Sequence, residues 1–285
     1  MSRRPFHDMP ISKTAIWSSR FAFFAFAVAA LSIIIVRSNL LEIGPALTTF
    51  AAALGFAALA ILLAFAAFVV VWRQGSAGLG RALLGLFLGL VLLAYPAFLG
   101  IRALKLPAIS DVTTDTDNPP RFESLARQRP PDRVAYPGAA VAALQHAGYP
   151  DIAPLDLDAP AKLAYDAALA LVTKRKWTIV NARGPALGRR DGVIEAVART
   201  PIMGFRDDIV IRVTPTGQGT RVDMRSASRV GSHDFGANAS RVRSLLEDLD
   251  DTVSSTPEPR VLPPPKAPAP PKGQGARDKR QPARR

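Results

Sequence analysis

There is no cysteine among the 285 residues, and histidine occurs only at His7, His146 and His233. The first absence excludes disulfides, thiolate metal sites and cysteine nucleophiles together. The second leaves three imidazoles far apart in the chain, so no metal and no cofactor is expected. Charge is missing in a more telling way. Residues 44–72 run for 29 positions, and residues 82–101 for another 20, without one charged side chain. A wholly soluble chain has no use for two such runs, and each is long enough to cross a bilayer as a helix.

A third apolar run occupies residues 17–37, with Arg20 near its start. Its core, residues 21–36, is short for a span, but Trp17 and Arg20 can reach back to the interface. Ala27-Val28-Ala29 resembles a cleavage triplet, yet cutting there leaves an apolar core of only six residues. An uncleaved anchor is therefore expected rather than a signal peptide. The anchor is read as three transmembrane helices over 17–37, 46–70 and 82–101. Six cations (Arg3, Arg4, Lys13, Arg20, Arg73 and Arg81) flank one set of helix ends, and three (Arg37, Arg102 and Lys105) flank the other. That bias places residues 1–16 in the cytoplasm and everything after the third helix outside, which across the inner membrane of a bacterium is the periplasm. No charged residue lies mid-helix, which separates these helices from those of pumps and transporters. Gly85 and Gly89 make a small-xxx-small pair, and Ala51, Ala52 and Ala58 offer small faces for close packing. Pro96 is expected to kink the third helix.

The formal charge of +13 is concentrated in the flanks. Residues 257–285 carry eight cations against two anions, whereas residues 150–256 carry 15 against 14. A folded part so nearly neutral makes nucleic acid an unexpected partner. The tail, 256–285, holds nine prolines and almost no large apolar residue, so it is expected to be disordered.

Between anchor and tail, residues 106–255 read as an α+β domain. Residues 106–150 contain seven prolines and read as extended chain. Asp158 is placed to cap a helix carrying the apolar stripe Leu163, Ala164, Ala167, Ala168, Leu171 and Val172. Four strands follow, over 177–182, 192–200, 208–214 and 220–230, the first rich in β-formers and the others alternating along the chain. A last helix shows Val242, Leu245, Leu246, Leu249 and Val253 at helical spacing. The order predicts an antiparallel sheet of about four strands with two helices on one face, attached to an all-α three-helix membrane anchor.

Five segments, in order, carry a resemblance: ISDVTTDTDNPPRF (109–122), YPDIAPL (149–155), FRDDIVIRV (205–213), RVDMRSASRVG (221–231) and DFGANASRVR (234–243). Together they resemble the domain of unknown function 1499 family over about residues 106–252. The resemblance implies domain boundaries and a bacterial, membrane-anchored layout. It implies no reaction.

Two sets of residues are candidates for function. Arg225 and Arg229, four apart on one strand, share a face. With Arg241 and the 231–236 loop, including Ser232, they can form an anion-binding edge at a helix N-terminus, supported by Asp208, Asp223, Asp234 and Asn238. The same arginines can instead form a ladder of ion pairs with Asp208, Asp223 and Glu195 on a solvated face. Ser226 and Ser228 have no base placed by sequence to activate them. The expected function is a membrane-anchored periplasmic binding or scaffold module, non-enzymatic, whose partners are the lipid bilayer and an anionic envelope ligand or protein. The alternative is a membrane-bound hydrolase or lyase using the carboxylates of Glu195 and Asp208.

Overall fold

The computed structural model describes residues 10–38, 43–186 and 191–255. Arg3 and Arg4, most of the N-terminal segment, and the tail 256–285 lie outside the described residues.

Three helices come first: α1 (Lys13–Ser38), α2 (Ile43–Gln74) and α3 (Leu79–Lys105). All are long and apolar enough to cross a membrane. They pack through small residues. Gly85 lies so close to α1 that a Cβ there would meet Ser18 Oγ at 2.0 Å, and one at Gly89 would meet Ile61 at 2.7 Å. Ser18 Oγ donates to the Ala60 carbonyl at 2.8 Å, a polar tie between helices where lipid offers no alternative partner. On α2 the buried alanines are Ala46, Ala53, Ala57, Ala60, Ala64 and Ala67. Ala51, Ala52 and Ala58, expected in the seam, lie on the exposed face instead. An alanine-rich sequence has small residues all round, so composition alone does not say which row meets the neighbours. Pro96 lies within α3.

The α+β domain is built on a six-stranded antiparallel sheet in the order β1-β6-β5-β4-β3, with β2 also paired to β6. The strands are β1 (Asp111–Thr113), β2 (Leu155–Leu157), β3 (Thr178–Arg183), β4 (Gly192–Arg199), β5 (Arg206–Thr216) and β6 (Gly219–Ser228). The last four are the strands expected from β-former content and alternation. Two helices, α5 (Ala161–Lys174) and α6 (Ala237–Ser254), cover one face. Ile194, Ile209, Ile211, Val222 and Met224 meet Leu171, Leu245 and Leu249 there. Helix α5 begins after Pro160, which occupies the N-cap without a side-chain bond, so Asp158 is not its cap.

Residues 106–150 are more structured than their prolines suggest. Besides β1 they form 3-10 turns at Leu125–Gln128 and Pro131–Arg133, and a helix, α4 (Ala139–Gly148). Ala-rich sequence after Gly138, whose φ is 90°, favours that helix. Its Gln145 substitutes for a strand on the free edge of β1. The side-chain oxygen accepts from Thr113 N at 3.0 Å, and the side-chain nitrogen donates to Thr113 O at 2.7 Å.

Domain and helices meet at the turn between β4 and β5. Arg37, at the end of α1, donates to the carbonyls of Pro201 and Ile202 at 2.8 and 3.1 Å. Arg199 donates to the Arg37 carbonyl at 2.9 Å. Met203 packs with Val36 and Ala46. Gly204, with φ 74°, is close enough that a Cβ would lie 2.7 Å from Arg37 Cγ, so only glycine fits this seat.

Candidate functional site

Alternation along β5 and β6 sends the candidate residues to two sides of the sheet. On the side away from α5 and α6 lie Asp208, Asp223, Arg225 and Arg229. That side is not solvated: the irregular segment 115–137 covers it, with Phe122 and Leu125 packed on Val193, Val197, Val210 and Ala227. Arg225 is 1 % exposed. Its guanidinium donates to both oxygens of Asp111, at 2.9 and 2.7 Å. It lies beneath Phe122, 4.6 Å from the ring centroid, and also reaches the Val134 carbonyl at 3.2 Å. Tyr136 stands over the same guanidinium. Burial, with Asp111 nearby, pushes its phenol up to about 12.

Arg229 grips Asp208 through two nitrogens, the shorter bond 2.7 Å. Arg129, which no sequence motif singles out, bonds the other oxygen at 2.7 Å and also holds the Ala227 and Ser228 carbonyls. Asp223 takes Arg212 at 2.8 Å and Arg221 at 3.4 Å. Glu195 is fully buried. Its Oε1 accepts the backbone N–H of Glu123 at 2.7 Å and of Leu125 at 3.4 Å; Oε2 accepts that of Ser124 at 2.8 Å and the Asn181 amide at 3.4 Å. A carboxylate has about four acceptor positions, so this one is saturated.

Arg241 belongs to the other side. It donates to Asp207 at 2.7 Å, to Asn238 at 2.5 Å and to Ser226 at 2.8 Å. Asn238 passes the network on to Ser228 Oγ and the Ser110 carbonyl. Asp234 does anchor the start of α6: its two oxygens accept Gly236 N at 2.9 Å and Asn238 N at 2.7 Å. Burial nonetheless raises its carboxyl above the usual range, outweighing those bonds. The structure thus places Arg225 and Arg229 together and puts the sheet between them and Arg241. Each of the three is matched to its own carboxylate.

Ser232 leads elsewhere. With Asp234 and His233 it lines a cleft of about 650 Å³ between the domain and the ends of α2 and α3. Tyr95, Phe98 and Leu99 form one wall, and Met203, Phe205 and Phe235 stand on the domain side. His233 Nδ1 accepts Phe235 N at 3.0 Å, while its buried Nε2 has no partner among the described residues. Arg102 stands at the mouth of this cleft and also lines a second hollow, of about 340 Å³, beside Tyr149 and along α6. Neither Arg102 nor Tyr149 was a sequence candidate for ligand binding. Arg102 counted only toward orientation, although a cation ending a membrane helix is a signal for headgroup contact as well.

Residues 111–249 match the model of the family described as "Protein of unknown function (DUF1499)", and the α+β domain of this chain belongs to that family. Comparison with curated proteins found no match.

Proposed function

We propose, with DUF1499 membership as the premise, that this chain is a membrane-tethered binding module of the bacterial envelope, acting from the periplasmic face of the inner membrane and without chemistry of its own. The observation that carries the reading is how the carboxylates are used. Glu195 is saturated by three backbone N–H groups and Asn181, and Asp208 is held between Arg129 and Arg229. A hydrolase built on either residue needs a free oxygen to move a proton. A cleft of about 650 Å³ opens at the seam between domain and helices, where a ligand from the membrane or its surface can enter.

Orientation rests on the six-to-three cation bias across the helix ends. The cysteine-free chain makes it testable. Ser254 is exposed near the end of α6, so a Ser254→Cys variant should react with a membrane-impermeant maleimide on intact spheroplasts. Labelling only after lysis would put the domain in the cytoplasm and end the periplasmic reading.

A further inference from the structure

Arg102 reaches into the seam from the last turn of α3, and its side chain makes no hydrogen bond or ion pair with the described residues. Its guanidinium rests over Phe98, 5.7 Å from the ring centroid. It also lies against Gly236, where a Cβ would stand 2.8 Å from Nη2. Beside it, Tyr149 is 3 % exposed, and its hydroxyl has no partner among the described residues. A buried hydroxyl is ordinarily satisfied, so one that faces a hollow without a bond marks a place for an acceptor. Its phenol is pushed up by burial first and then by Asp234, so the group is a donor at neutral pH.

Ser240, Ser244 and Glu247 continue the hollow along α6. Arg243 is already engaged by Asp151, and Ser244 accepts from Arg175. Glu247 at the far end has no ion pair among the described residues. The hollow therefore presents an unbonded cation and a donor hydroxyl at one end and the carboxylate of Glu247 at the other. A carboxylate in the same hollow disfavours a multiply charged anion and favours a head that carries both signs.

Depth along α3 supplies the rest. Tyr95, Phe98 and Leu99 precede Arg102 by three to seven residues, about 5–10 Å along a helix. That is the interval from a lipid phosphate to its upper acyl chain, and those three side chains wall the apolar cleft that Arg102 caps.

We infer that the seam holds one zwitterionic phospholipid drawn from the bilayer. Its acyl chain lies in the cleft against Tyr95, Phe98 and Leu99, its phosphodiester on Arg102 and the Tyr149 hydroxyl, and its ammonium toward Glu247. This rests on the reading of the chain as a membrane-embedded binding module, and names its ligand class.

The test uses the full chain in nanodiscs of equal parts phosphatidylethanolamine and phosphatidylglycerol, released for native mass spectrometry. Failure to enter the nanodisc would end the membrane reading itself; entry without a retained lipid would end only this inference. The expected result is one retained phosphatidylethanolamine per chain. Retention should fall about tenfold in Arg102→Gln, which loses a charge-assisted bond, and several-fold in Tyr149→Phe. The second variant removes a hydroxyl that bonds nothing among the described residues, so its melting temperature should not fall and lost retention cannot be put down to misfolding. Equal retention by wild type and both variants, a preference for phosphatidylglycerol, or displacement by millimolar inorganic phosphate would each overturn the inference.

Discussion

Alanine at position 225 should cost the domain about 3–5 kcal/mol, the usual result of removing one member of a buried ion pair. Asp111, 4 % exposed, would lose the guanidinium that meets both of its oxygens. The loss extends beyond the pair. Arg225 also holds the Val134 carbonyl and fills the space under Phe122 and Tyr136. Trp177 is the domain's tryptophan, so urea unfolding followed by its fluorescence, in a full chain with Trp17 and Trp72 replaced by phenylalanine, reads the effect. Unchanged stability would mean that Arg225 is free to serve a ligand, as an anion-binding edge requires.

The second large effect is expected at Glu195. Glu195→Ala leaves the N–H groups of Glu123, Ser124 and Leu125 without their acceptor. Each buried orphan costs about 1–3 kcal/mol, and some will find water, so a total loss of about 3 kcal/mol is expected. The covering segment should loosen first. Arg121 and Arg127 are exposed on it, and trypsin should cut after them well before global unfolding in the variant and not in the wild type. A variant with wild-type stability and wild-type tryptic pattern would release Glu195 from its tying role and restore the carboxylate hydrolase as a reading.

Much of the fold was legible because it obeys local periodicity. The uncharged runs mark the long helices, and alternation marks β4, β5 and β6 and assigns their faces correctly. Ile209, Ile211 and Val213 lie toward the helices, and Asp208 lies opposite them with Arg129 and Arg229. What was not legible is short or non-local. Strands β1 and β2 have three residues each, too few to show a period. Helix α4 was hidden by the prolines around it, although its alanines favour a helix. The partners of the arginines come from far along the chain: Asp111 meets Arg225 across 114 positions and Arg129 meets Asp208 across 79. Strand alternation shows that Arg225 and Arg229 share a face, but not that a proline-bearing segment will fold over it and bring their counter-charges. The seam was illegible for the same reason, since Arg102 and Tyr149 become neighbours only when α6 starts beside the end of α3.

Only five residues, 106–110, separate the end of α3 from the first residue of β1. Fully stretched they reach about 17 Å, and β1 is already paired with the long interior strand β6. The turn at Pro201 and Ile202 adds a second fixing point, on the end of α1. A body held at two points by such short links has no freedom to swing. If α1 and α3 tilt or slide in response to bilayer thickness, the sheet must turn with them, and the mouth of the seam opens or narrows accordingly. Geometry of this kind makes the domain a rider on the bilayer's mechanics rather than a float on a string.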